Sequence, residues 1–89
     1  MIITYDPAKN AKNIRERGLD FELAYGFDFE TAAYAIDGRL DYGETRWLAT
    51  GFIDGRLYKL VYKEVSGGIR VISFRKANKR EVKKYVSDH

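Results

Sequence analysis

The chain has no cysteine, one proline, one histidine and no long apolar run. Without cysteine there are no disulfides and no thiolate metal sites. The lone histidine is His89, the last residue of the sequence, so a Ser-His-Asp or Cys-His catalytic arrangement and a histidine zinc site are not expected. No stretch approaches the roughly 18 apolar residues of a membrane-crossing helix, and no signal-peptide pattern is present. The expectation is a cytoplasmic, soluble protein with no membrane partner and no cofactor or metal. At 89 residues it is expected to form a single domain, 1–89, with about one helix layer on one sheet.

Charge, by contrast, is abundant and unevenly placed. Residues 1–44 carry five Lys+Arg against nine Asp+Glu, a net of −4, and residues 45–89 carry eleven against four, a net of +7. A basic half in a small folded domain points to a polyanion, RNA or DNA first. The thirteen aromatics, seven of them Tyr, supply stacking surface as well as core.

The pattern along the chain predicts an α+β fold. Met1 to Tyr5 reads as a short strand. Asp6 as N-cap and Pro7 at the first helical position start a helix that ends at Arg17-Gly18. Ala11 and Ile14 are expected to face inward, with Asn13 among the residues on the outer faces. Asp20 caps a short second helix, Phe21 to Gly26, with Phe21, Ala24 and Tyr25 as its apolar side. A strand is expected near Glu30 to Ile36, then a polar loop from Asp37 to Gly43. Glu44 to Ile53 and Arg56 to Val65 form a hairpin around Asp54-Gly55, a type I′ signature. Ser66-Gly67-Gly68 turns the chain into a third strand from Ile69 to Phe74, apolar on both faces and therefore expected inside the sheet. Asn78 and Glu81 form a capping box for a closing helix whose Val82, Tyr85 and Val86 make one buried stripe. The whole is a mostly antiparallel sheet with a three-strand meander, with two N-terminal helices and one C-terminal helix on one face.

Strand alternation separates Leu57, Lys59, Val61 and Lys63 from Tyr58, Leu60 and Tyr62, the latter on the helix-covered face. A face with lysines in mid-sheet suits a nucleic acid; an ordinary solvated sheet face has the same composition.

Several segments resemble a known family, the BrnT-type toxins. They are Tyr5-Asp6-Pro7-Ala8-Lys9, Asn13, Arg17-Gly18, Phe21 and Ala24, then Gly43-Glu44-Thr45-Arg46-Trp47 and Gly51. The last is Ile69-Arg70-Val71-Ile72-Ser73-Phe74-Arg75-Lys76-Ala77 through Glu81 to Tyr85. The resemblance spans nearly the whole chain in order. It implies a RelE-like fold and a small ribonuclease toxin of a type II toxin–antitoxin module. Such a toxin inhibits translation by cutting RNA and is neutralised by a BrnA-type, DNA-binding antitoxin, through which alone it meets DNA. The chain departs from the family pattern at Arg17, where a histidine is common, and at Phe74, where a small residue is common.

RNA cleavage without metal requires a base for the 2′-hydroxyl, charge stabilisation on the phosphorane and a proton for the leaving 5′-oxygen. Arginine and lysine provide the second, and crowded lysines, with lowered pKa, can provide the others. The residues considered for catalysis are Glu44, Arg46, Arg75 and Lys9, the first three also favoured by the resemblance. Lys59, Lys63, Arg70, Lys76 and Arg80 are the residues considered for RNA binding, with Tyr62 and Tyr85 for stacking or proton donation. Structural alternatives exist for each. Glu44 and Arg46 suit a cross-strand ion pair, Arg75 and Arg80 suit Glu81 or helix-end carbonyls, and both tyrosines suit the core. A non-catalytic nucleic-acid-binding module or a protein-interaction module is the competing function.

Overall fold

The computed structural model describes residues 1–38 and 43–89. Residues 39–42 of the loop expected at 37–43 lie outside the described residues. In chain order the elements are β1 (Ile2–Thr4), α1 (Pro7–Arg17), a 3-10 helix (Phe21–Gly26), β2 (Ala33–Ile36), β3 (Trp47–Ile53), β4 (Arg56–Val65), β5 (Gly68–Lys76) and α2 (Lys79–Asp88). The strands form one sheet of order β1-β5-β4-β3-β2. The meander is antiparallel, and β2 joins β3 antiparallel. β1 lies parallel to β5, which makes the sheet mixed. The chain between β1 and β5 includes a helix, as a parallel neighbour requires.

Local chemistry explains the element ends. The Asp6 carboxylate accepts from the Ala8 N–H at 2.9 Å and Pro7 opens α1. At the far end Gly18 is left-handed and its N–H returns to the Ile14 carbonyl at 2.8 Å. Asp54 and Gly55 both have positive φ, 47° and 79°, the type I′ geometry whose twist matches paired strands. At Gly68 a side chain is impossible for another reason: a Cβ there would be driven into the Ile2 backbone, so glycine is what lets β1 dock.

One face of the sheet carries the core. Leu60, Phe74 and Val71 are fully buried against Phe21, Ala24 and Phe27 of the 3-10 helix and the segment after it, with Ala49, Tyr62 and Ile69 in the same cluster. The alternation of β5 is broken by a bulge. Val61 pairs with Ser73 but Tyr62 with Val71, leaving Ile72 as the extra residue. This bulge produces the apolar character on both faces seen in the sequence.

Four expectations are corrected. The second helix is a 3-10 helix. The helices do not share a face: the 3-10 helix covers the core side. α2 lies on the opposite side, where Glu81 meets Lys59 and Arg75 and Tyr85 packs edge-on against Phe52 at 5.3 Å. Val82 and Val86 of α2 are exposed, so no buried apolar stripe forms. The fourth correction concerns α1, whose buried residue is Asn13, whereas Ile14 is exposed. The reason is hydrogen bonding. β1 pairs only with residues 68–70, so beyond it the backbone of β5 needs donors, not methyl groups. The Asn13 amide donates to the Phe74 carbonyl at 3.0 Å and the Leu19 carbonyl at 2.9 Å. Arg17, the residue in place of the family's histidine, donates to the same Phe74 carbonyl and to Asn13, both at 3.2 Å.

Candidate nucleic-acid interface

The face opposite the core gathers the cations. Strand register sets Lys63 opposite Arg70, and Lys59 opposite both Thr50 and Arg75. Lys59, Val61 and Lys63 alternate with the buried Leu60 and Tyr62, so they project to the same side. Two of the clefts that open there among the described residues gather most of the candidate cations.

The first, of about 90 Å³, is lined by Lys9, Glu44, Arg46, Lys63 and Arg70, with Asp6 at its margin. Glu44 is its counter-charge: one carboxylate oxygen lies 3.4 Å from the Lys63 ammonium and 4.0 Å from Arg46 Nε. The bulge residue Ile72 forms part of the wall. Three residues considered for catalysis, Glu44, Arg46 and Lys9, thus come from the start of α1 and the lead into β3 to meet two residues considered for binding.

The second cleft, of about 350 Å³, is lined by Lys59, Arg75, Glu81, Ser73, Val61 and Leu48, with Asp37 behind. Arg75 makes a fork to Glu81, NH1 to Oε1 at 2.7 Å and NH2 to Oε2 at 2.8 Å. This bond, the dominant cause, holds the Glu81 carboxyl down at about 2. The Lys59 ammonium donates to the Thr50 hydroxyl at 2.7 Å and lies 3.9 Å from Glu81, with its side chain 17 % exposed. Burial lowers the Lys59 pKa, Arg75 and Lys84 add to the lowering, and Glu81 opposes it.

The two clefts are separate. Lys63 and Lys59 stand four residue steps apart along β4, about 13 Å at strand spacing. Arg75 therefore does not join Glu44, Arg46 and Lys9. The floor between is uncharged, formed by Val61 and its cross-strand partners Leu48 and Ser73.

The remaining candidates lie elsewhere. Tyr62 is a correction: it is 8 % exposed on the core face, edge-on to Phe29 at 6.1 Å, and cannot stack on a ligand. Burial raises its phenol pKa. Lys76 pairs with Tyr58 and points away from Arg75 along the alternation of β5. Arg80 is exposed on α2 and lines neither cleft. Tyr85 donates to the Thr31 carbonyl at 2.8 Å and stacks on His89 at 4.3 Å; it lines neither cleft but a neighbouring cavity shared with Lys59 and Lys84. Sequence reasoning missed Thr50, which anchors Lys59, and Ser73, which lines the second cleft; it gave Glu81 a capping role and, as a structural alternative, a pairing with Arg75. The signal of the two missed residues was the register opposite Lys59 and Val61: that of Thr50 follows from the Asp54-Gly55 turn, and that of Ser73 required the bulge to be placed. Among the described residues no group of three His, Asp or Glu side chains forms a metal site.

A sheet with one apolar face, one cationic face and carboxylates spaced among the cations defines a domain suited to holding an anionic chain. The chain belongs to the BrnT family: the family model described as the ribonuclease toxin BrnT of type II toxin–antitoxin systems matches residues 5–81. Its family thereby implies an RNA substrate and an antitoxin protein as partner. A search of curated proteins finds no match. No helix among the described residues is long and apolar enough to cross a membrane.

Proposed function

We propose that this protein is an endoribonuclease toxin that cuts RNA without a metal ion, with its reaction centre in the Lys59–Arg75 cleft. The observation that carries the reading is a half-buried lysine beside an arginine on a cationic sheet face of a ribonuclease family. The 2′-hydroxyl attacks the adjacent phosphate, giving up its proton. The phosphorane charge meets Arg75. The 5′-oxygen departs with a proton, leaving a 2′,3′-cyclic phosphate and a 5′-hydroxyl. Lys59 is the proton-transfer group: its ammonium is fixed by Thr50 opposite Arg75 in the cleft, and partial burial lowers its pKa. Lys63, Arg46, Arg70 and Lys9 hold a neighbouring phosphate, and Glu44 orients Lys63 and Arg46. Two of the cleft carboxylates, Glu44 and Glu81, already face cations, which supports cation-based charge stabilisation. The partner is a BrnA-type antitoxin that binds DNA and covers the cationic face, and the consequence of cleavage in the cytoplasm is inhibited translation.

The test is RNA degradation by purified protein in EDTA. Lys59→Met and Arg75→Ala are expected to lower kcat by about a hundredfold or more, and Lys63→Gln to act mainly on KM. Cleavage that persists at full rate in both Lys59→Met and Arg75→Ala would move the reaction centre elsewhere. Salt-sensitive binding without strand scission would leave a binding module.

A further inference from the structure

Lys59 and Arg75 are cross-strand neighbours with like charge. Such pairs repel and splay unless a counter-charge lies between them. That counter-charge arrives from outside the sheet. Glu81 is the third residue of α2. Its carboxylate takes two hydrogen bonds from Arg75, a third from the Asn78 N–H at 2.9 Å, and stands 3.9 Å from the Lys59 ammonium. The Asn78 side chain accepts from the Glu81 N–H at 2.8 Å and completes a capping box. One carboxylate therefore ends a helix and neutralises part of a cleft. The helix N-terminus favours the negative charge in that place. Thr50 fixes the Lys59 ammonium from β3, on the other side of it.

We infer that Glu81 is a positioning residue for the cleavage chemistry: it holds the Arg75 guanidinium beside Lys59 and keeps the Lys59 ammonium protonated, so that α2 sets the charge state of the cleft. The inference rests on the reading of this cleft as the reaction centre. Lys59 is faced by Arg75 from β5 and by Glu81, Lys84, Tyr85 and Asp88 from α2, with Asp37 and His89 lining the cavities on its two sides. Of the acidic groups, Glu81 is the one in ion-pair range of Lys59 among the described residues. Loss of its charge leaves Arg75 and Lys84 acting on Lys59 unopposed by it.

The experiment uses Glu81→Gln, with Asn78→Ala as its control. Glutamine completes a capping box as glutamate does, so Glu81→Gln removes the charge while keeping the helix end. Asn78→Ala weakens the cap and leaves the carboxylate facing Arg75 and Lys59. The first readout is the titration of the Lys59 side chain by heteronuclear NMR. It is expected to move down by roughly one pH unit in Glu81→Gln and to stay in place in Asn78→Ala. The second is the pH–rate profile in EDTA. In Glu81→Gln the limb assigned to Lys59 shifts to lower pH and kcat falls about tenfold, with KM within about twofold, while Asn78→Ala keeps the wild-type profile. An unmoved Lys59 titration in Glu81→Gln, or an equal movement in Asn78→Ala, overturns the inference. If the wild type cleaves no RNA, the proposed function fails on its own, and the Lys59 titration still decides what Glu81 does.

Discussion

The sheet face makes a quantitative statement about salt. Two clefts about 13 Å apart along β4 each present cations, so an extended strand lying along β4 has phosphates neutralised at both. Taking three to four phosphates as engaged, single-stranded binding should follow a log–log salt slope of about −2 to −3. Raising salt from about 50 to about 200 mM then weakens binding roughly thirtyfold at a slope of −2.5. Replacing Lys63 or Lys59 by Gln removes about one phosphate contact and flattens the slope by about 0.7, so the same salt step weakens binding by only about twelvefold. The assay is fluorescence anisotropy with an all-deoxy oligonucleotide, which has no 2′-hydroxyl and cannot be cut. Lys76→Gln and Arg80→Gln serve as comparisons, because those side chains lie outside both clefts and should leave the slope unchanged. A slope that ignores Lys59 and Lys63 but flattens with Lys76 or Arg80 would refute the placement of the nucleic acid on this face.

Acid should weaken the protein through Glu81. Its folded pKa is depressed from 4.5 to about 2, so its stabilisation is fully present above pH 4.5 and is lost as pH falls from there toward 2. The depression corresponds to at most about 3 kcal/mol; with 21 % of the side chain exposed, solvent screening brings this to about 1–2 kcal/mol. Urea unfolding at a series of pH values should show Glu81→Gln losing less stability across that window than wild type, and parallel curves would contradict the assignment. Asn13→Ala removes the side-chain donor of the Leu19 carbonyl and one of the two donors to the Phe74 carbonyl, Arg17 being the other, and should cost about 1–3 kcal/mol, seen as a fall in Tm of roughly 5 °C or more; a loss under about 0.5 kcal/mol would remove the edge-covering role of α1. Gly68→Ala should expel β1, costing about 2–3 kcal/mol, with hydrogen-exchange protection lost at residues 2–4 and kept in the meander.

What could be read from the residues was what the residues decide locally. The caps at Asp6 and Asn78, the stop at Gly18, the Asp54-Gly55 turn and the meander all follow from chemistry within a few positions, and the structure has each of them. The parallel pairing of β1 was not legible, because three residues of strand carry no mark of their partner. α1 was read upside down for a related reason. Its pattern was scanned for apolar groups, while its seat on β5 demanded an amide, supplied by Asn13. At the interface, the cationic face followed from alternation along β4, but the split into two clefts depends on register and on the Ile72 bulge, neither of which a single strand announces. Glu81 shows the same limit in part. The capping box was visible as a spacing and Arg75 as a possible partner, whereas the approach to Lys59 needed the helix docked on the sheet.

The pairing of β1 with β5 also carries a consequence for how the molecule is made. Thr4 bonds to the Ile69 carbonyl across 65 positions of sequence. The first strand to be synthesised therefore waits for nearly the last. The hairpin of β3 and β4 closes through a two-residue turn and can form early, whereas β1 and α1 must cross a long loop to reach their edge. Until they do, the backbone of β5 past Gly68 stays uncovered, open to pairing with another chain. Folding order thus makes the amino-terminal segment the closing piece, and a delay in its arrival is the moment at which the nascent protein is most exposed to aggregation.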